Sequence, residues 1–171
     1  CRILGNQDTI YTGAKFTRLY FKDCYIDGTT DFIFGPSTAL FENCMIHSKR
    51  NSYVTAASTP KEAKYGYIFK HCKLTAEPGV DKVYLGRPWR PYAYTLFIEC
   101  ELGKHIVPAG WHNWGKQSNE ETARYMEYKN TGEGANVSER VAWSKQLTKK
   151  EAEAVTVDAI FGTQSNWNPI D

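Results

Sequence analysis

One recurring phrase constrains this chain more than any other feature. Phe21-Lys-Asp-Cys24-Tyr-Ile26, Phe41-Glu-Asn-Cys44-Met-Ile46, Phe69-Lys-His-Cys72-Lys-Leu74 and Phe97-Ile-Glu-Cys100-Glu-Leu102 share the pattern Phe-x-x-Cys-x-(Ile/Leu), and Cys1-Arg-Ile3 is its second half. The cysteines lie 23, 20, 28 and 28 residues apart. A strand-like phrase at that period is the mark of a solenoid, whose coils stack and bury one continuous core. Cys24 and Ile26 are two residues apart, so both are expected on one face of a strand. Five cysteines cannot all pair, and no Cys-x-x-Cys offers metal-ligand spacing. Buried structural thiols, stacked coil on coil, are the expected role.

Each coil carries a second apolar run between turn residues. Asp8-Thr-Ile-Tyr11, Asp31-Phe-Ile-Phe34, Tyr53-Val-Thr-Ala-Ala57 and Val83-Tyr-Leu-Gly86 are punctuated by Gly5-Asn6, Gly28-Thr-Thr30, Gly35-Pro36 and Pro88. At least two short strands per coil follow, stacked in parallel as an all-β solenoid, a parallel β-helix. An antiparallel sandwich of the same strands is the alternative. At 171 residues the chain is expected to be a single domain, with coils over about 1–115. From about 116 the texture becomes polar, and 119–134 reads as a long loop. Thr148-Lys-Lys-Glu151 is a capping box, so a helix over about 149–161 is expected, packing Ala154, Val157 and Phe161 against the solenoid.

Composition removes several function classes. Lys and Arg total 21 against 19 Asp and Glu, a net charge of +2 with no long basic run, so no nucleic-acid partner is indicated. No apolar stretch approaches the roughly 18 residues of a membrane span. The four histidines show no His-Glu-x-x-His spacing, and neither a Gly-x-Ser-x-Gly elbow nor a phosphate loop occurs. The aromatic share of 14% fits a sugar-binding groove and a bulky core equally well.

The period itself brings chemistry-bearing residues together. Asp8 and Asp31 each lie seven residues after a ladder cysteine, so stacking puts them at equivalent points of neighbouring coils. Adjacent strands are about 4.8 Å apart. Two carboxylates at about 5 Å repel by roughly 3 kcal/mol at an effective dielectric near 20, or about two pKa units. One then stays ionised while the other holds a proton, which suits a nucleophile and a general acid. The competing reading makes both aspartates turn residues on a solvated face. Tyr11 and Phe34, each three after its Asp, share the phase and are expected beside the carboxylates. In Leu85-Gly-Arg-Pro-Trp89, Arg87 offers a two-pronged donor for a carboxylate and Trp89 a flat face for a sugar ring. Gln7, next to Asp8, carries an amide able to steady an oxyanion.

At these residues the sequence resembles the pectin methylesterases. Gln7-Asp-Thr-Ile-Tyr11, Gly28-Thr-Thr-Asp31-Phe-Ile-Phe-Gly35 and Leu85-Gly-Arg-Pro-Trp89 are similar to three ordered motifs of that family. Gly110-Trp-His-Asn-Trp114 and Tyr125-Met-Glu-Tyr128 are similar to later ones. The resemblance implies a right-handed parallel β-helix that removes methyl groups from galacturonate esters in pectin, releasing methanol without metal or cofactor. It implies Asp31 as nucleophile, Asp8 as general acid and then base, Gln7 as oxyanion donor and Arg87 as the group orienting Asp31. Tyr11, Phe34 and Trp89 would line sugar subsites. A secreted or periplasmic location is implied by the extracellular polymer.

The family's upstream motifs, including a second oxyanion glutamine, have no counterpart here. The expectation is a C-terminal portion of a longer esterase, poorly active or inactive and prone to associate through its open first coil. Two other readings are a non-catalytic polygalacturonate-binding solenoid and a pectate lyase-like β-helix enzyme, which needs carboxylate clusters for calcium.

Overall fold

Three short strands make up each coil in the computed structural model, which describes residues 1–162, 167, 169 and 170. The first coil holds β1 (Arg2–Ile3), β2 (Ile10–Tyr11) and β3 (Arg18–Lys22). The second holds β4 (Tyr25–Gly28), β5 (Ile33–Gly35) and β6 (Thr38–Glu42), and the third β7 (Met45–Ser48), β8 (Tyr53–Ala57) and β9 (Tyr67–Lys70). The fourth holds β10 (Lys73–Ala76), β11 (Tyr84–Gly86) and β12 (Tyr94–Ile98). Then follow β13 (Glu101–Leu102), a short helix α1 (Asn119–Thr122), β14 (Arg124–Tyr128), a 3₁₀ turn at Glu133–Ala135 and β15 (Lys145–Gln146). Like positions of successive coils pair into sheets of order β1-β4-β7-β10-β13, β2-β5-β8-β11 and β3-β6-β9-β12-β14-β15. Every strand pairing among the described residues is parallel, so the fold is a parallel β-helix and the antiparallel sandwich is excluded.

The recurring phrase is the interior. Register pairs Phe21 with Phe41, Phe41 with Phe69 and Phe69 with Phe97. Their rings stack almost coplanar, with centroids 4.7, 4.5 and 4.4 Å apart. Ile3, Ile26, Ile46, Leu74 and Leu102 form a second file on the first sheet. Fully burying such side chains contributes about 1.5–3 kcal/mol each.

Phe-x-x-Cys is not one strand, however. A corner falls inside it, and the residue before each cysteine holds a left-handed φ: 53° at Asp23, Asn43 and His71, and 50° at Glu99. A single left-handed residue swings the chain between sheets, and Asp, Asn and His tolerate that region better than most. Cys24 therefore precedes β4 rather than sharing its strand with Ile26, although both point inward and are buried. The thiols behave as small hydrophobes with one weak donor each. Cys44, Cys72 and Cys100 donate S–H to the carbonyls of Phe21, Phe41 and Phe69 one coil earlier, at 3.4–3.5 Å. Cys1 is exposed; the other four are buried and none is in a disulfide.

Two expectations for the later chain need correction. The segment 119–134 is not one long loop, because β14 adds five residues to the third sheet alongside β12. It is a fifth turn of the repeat with its signature residues changed. Glu127 stands in register with Phe97, and the Asn130 side chain accepts the Cys100 N–H at 2.9 Å. Nor is there one helix over 149–161. Two short helices form, α2 (Lys149–Glu153) and α3 (Val157–Phe161). The predicted capping box opens α2, with the Glu151 N–H donating to Thr148 Oγ1 and the Thr148 N–H to Glu151 Oε1. Thr156 then takes an extended backbone and accepts the Ala159 N–H, so it starts a new helix instead of continuing the first. Val155, Ile160 and Phe161 are buried against Leu40, Ile68, Leu96 and Ile98 of the third sheet's outer face, and Ala152 is buried as well; Ala154 is exposed and Val157 half-buried.

Candidate active site

The site is built on the second sheet, where register brings unlike residues together. Ile10 pairs with Ile33 and Tyr11 with Phe34, so Asp8 and Asp31 occupy equivalent points of adjacent coils. The Asp8 N–H donates to the Thr30 carbonyl at 3.0 Å, and the Asp31 N–H to that of Tyr53 at 2.9 Å. Both aspartates hold left-handed φ, 57° and 49°. Such conformations cluster at functional sites, where surrounding structure holds them in place.

Arg87 reaches this pair from the end of β11. Gly86 is required just before it: a Cβ there would lie 2.2 Å from Thr55 Oγ1 of the neighbouring strand. The Arg87 and Trp89 N–H groups donate to the carbonyls of Thr55 and Ala57, both at 3.0 Å, which extends the ladder past the strand and fixes Leu85-Gly-Arg-Pro-Trp89 against β8. The guanidinium then makes a fork on Asp31, Nε to Oδ1 at 3.0 Å and Nη2 to Oδ2 at 2.7 Å. Asp31 is buried; Asp8 is exposed at the rim of the cleft. The Asp8 carboxyl is pushed above the ordinary carboxylate range, first by desolvation and then by the charge of Asp31, against the opposing pull of Arg87. The two acids are thus made unequal: one clamped by a cation, the other biased toward holding its proton.

Sequence reasoning missed the residues that hold the clamp. Arg87 lies between two rings, 4.0 Å from the Tyr53 centroid and 3.8 Å from that of Trp114. Two aromatic faces at these distances attract the cation and fix the plane of its fork. Trp114 has φ of 63°, and its N–H donates to His112 Nδ1 at 3.0 Å. The His112 ring packs edge-on against Tyr53 and Tyr84. Burial, and then the charge of Arg87, lower its pKa, so the imidazole is held in the neutral form whose Nδ1 can accept. The Gly110–Trp114 motif was visible in the sequence; its place over Arg87 depends on a bridge between Trp111 and Gly86 that no local pattern announces.

Gln7, Asp8, Asp31, Phe34, Arg87 and Trp89 line one cleft of about 280 Å³ with Ala56 and Trp114. Tyr11 falls just outside it, in an adjoining cavity that shares Trp89. Its ring packs on Phe34 at 5.0 Å and Phe34 on Trp89 at 5.7 Å, so the three expected aromatics form one continuous wall. Tyr11 remains 58% exposed, so its ring face beside the cleft is open to solvent. Among the described residues no group of three or more His, Cys, Asp or Glu converges as a metal site. No helix among them is long and apolar enough to cross a membrane.

Known proteins share both the fold and the sequence. The family model described as Pectinesterase matches residues 1–164. Pectinesterase 31 of Arabidopsis thaliana is 44% identical over 153 residues, which cover 89% of this chain and 48% of that protein. The solved pectin methylesterase from carrot superposes with a TM-score of 0.88 at 34% identity, covering 94% of this chain and 55% of the carrot chain. A pectin methylesterase solved in complex with hexasaccharide VII gives 0.78 at 30% identity, covering 98% and 57%. The chain spans about half the length, or less, of curated relatives that it matches. A match to nearly every residue, on a parallel solenoid of the same shape, has one reading: the chain belongs to the pectinesterase family.

Proposed function

We propose that this chain carries the reacting groups of an esterase that hydrolyses galacturonate methyl esters in pectin. The observation that carries the proposal is the Arg87 fork on Asp31, set one coil from an Asp8 whose pKa is raised. Arg87 clamps Asp31 through its two-pronged hydrogen bond and aims it. An Asp31 oxygen attacks the ester carbonyl carbon, and the electron pair moves to the carbonyl oxygen. The Gln7 amide, at the edge of the same cleft, donates to that oxyanion. The tetrahedral species collapses, the carbon–methoxy bond breaks, and methanol leaves with the Asp8 proton. Asp8, now a carboxylate, takes a proton from water, and the hydroxide attacks the acyl-Asp31 anhydride. The products are methanol and a uronic acid, with Asp31 regenerated as the carboxylate and Asp8 reprotonated; the acid then gives its proton to solvent and becomes the uronate, so protons and electrons balance. The wall of Tyr11, Phe34 and Trp89 supplies flat apolar faces for the sugar rings.

The cell-wall polymer as substrate also assigns the protein to a secreted or periplasmic setting. The direct test is methanol release from highly methylated pectin, with Asp31→Asn as the control. Release that falls to background in the variant is the expected outcome. Polygalacturonate binding without release in the wild-type chain would favour a binding solenoid, and a calcium-dependent unsaturated product would favour a lyase.

A further inference from the structure

The clamp on Arg87 hangs on one acceptor that can take up a proton. Trp114, whose ring lies 3.8 Å from the guanidinium, belongs to no strand and has a φ of 63°. A bulky residue stays in that left-handed region only where its surroundings hold it. The hold is local: the Trp114 N–H donates to His112 Nδ1 at 3.0 Å. His112 is fixed in turn from the second sheet. Its N–H donates to the Gly86 carbonyl at 3.1 Å, and its ring packs edge-on against Tyr53 and Tyr84 at 5.5 and 5.3 Å. One imidazole therefore touches both rings of the clamp, Tyr53 through its edge and Trp114 through its nitrogen. The neighbouring turn bond, Gly115 N–H to Asn113 Oδ1 at 2.8 Å, uses an amide that does not titrate.

Nδ1 accepts only while it carries no proton. A proton there would set donor against donor at Trp114 and add a second cation beside Arg87. The groups set against the imidazole are the Tyr53 and Tyr84 rings, the Trp114 N–H and the Arg87 guanidinium, and none of these brings a carboxylate. Burial, and then that guanidinium, keep the ring neutral at neutral pH. We infer that His112 is a proton-sensitive positioning residue: its bare Nδ1 holds Trp114 on Arg87, and protonation frees Trp114 and loosens the fork on Asp31. The cleft is then disarmed in acid by a residue that does not itself line it. The inference deepens the esterase reading and takes its reaction from it, but its geometry is measured without turnover.

Two replacements separate the acceptor from the proton. His112→Asn keeps an acceptor two residues before the same N–H, as Asn113 does for Gly115, and does not titrate. His112→Ala keeps none. Nitrogen NMR follows the Arg87 Nε–H, assigned by its loss in Arg87→Lys, together with the His112 ring from about pH 8 to about pH 4. In the wild-type chain the Arg87 signal is expected to move toward that of a free guanidinium in step with the imidazole, at a midpoint below about 6.5. In His112→Asn that step is expected to vanish, and in His112→Ala the signal is expected to be displaced already at neutral pH. Methanol release from methylated pectin should follow: about tenfold lower in His112→Ala, mostly recovered in His112→Asn, with its fall in acid moved to lower pH. An Arg87 signal that ignores the imidazole step, a step that survives in His112→Asn, or an Asn variant no better than the Ala variant overturns the positioning role. No methanol release from the wild-type chain, with the Arg87 signal still following the imidazole, counts against the esterase reading alone.

Discussion

The interior of the solenoid and its cleft use one register in opposite ways. On the third sheet, stacking sets Phe21, Phe41, Phe69 and Phe97 on one another, like on like. On the second sheet the same stacking sets Asp31 beside Asp8 and carries Arg87 to meet it. Repetition in the interior spreads stability over the coils, because Phe41 and Phe69 each stack between two equivalent rings. The cleft has no such redundancy. Asp31 and Arg87 meet across coils in a single fork that no other coil repeats, so the loss of either has no substitute. A solenoid thus separates stability, carried by what recurs, from chemistry, carried by what does not.

The sharpest way to break that separation is Asp31→Asn. On the proposed chemistry, methanol release falls at least about a thousandfold, equivalent to about 4 kcal/mol of transition-state stabilisation, while the melting temperature moves little. A large fall in melting temperature would show that the aspartate is structural. Phe69→Ala tests the other half. It removes the ring stacked between Phe41 and Phe97 and is expected to cost about 3–5 kcal/mol in denaturant unfolding. Any loss of activity should follow the unfolded fraction only. If activity falls in a fully folded variant, ladder and cleft are coupled.

How far the sequence spoke follows the same division. The ladder was legible because the same side chain returns at every coil, and the aspartate pair was legible because it inherits that period. The corner inside Phe-x-x-Cys was not, since a left-handed φ at Asp23 or Glu99 leaves no apolar signature. The clamp on Arg87 was not, because Tyr53 and Trp114 stand 34 residues before it and 27 after, and meet it only across coils. The last coil was hidden most completely. Glu127 stands where Phe stood and Asn130 where Cys stood, so the pattern ends although the strand continues.

Glu127 shows what replaces the ring. Its carboxylate is 1% exposed and accepts from Arg140 Nε at 2.9 Å and Nη2 at 3.1 Å, with Trp111 Nε1 at 3.4 Å. Arg140 also donates to the Gly134 carbonyl at 2.7 Å, so the pair ties the last coil to the segment that follows. If residue identity governed the ladder, Glu127→Phe would extend the stack and stabilise the fold. The expected result is the reverse, a loss of about 3 kcal/mol, because it strands the buried Arg140 cation without its partner. Urea unfolding of the single variant decides it, and a gain in stability would show that the ion pair is expendable.

The smallest expected effect concerns a buried histidine just after β13, the last strand of the first sheet. His105 is 3% exposed, and its Nε2 has no hydrogen-bond partner among the described residues. Burial, and then the neighbouring His47, lower its pKa to about 4. The unfolded chain takes up this proton near the ordinary histidine pKa of about 6.5, while the folded chain resists it. Stability from this group is therefore complete above pH 6.5, declines as pH falls below that, and levels off below about 4. The expected loss at pH 5 is about 2 kcal/mol. Asp8 and Asp31 lie on another sheet, so the Asp31→Asn variant should show the same decline. The His105→Gln variant should lose the part of the slope between pH 6.5 and 4. If that slope persists without His105, the acid sensitivity belongs to other groups, and the recurring coils rather than one buried ring set the pH range of the fold.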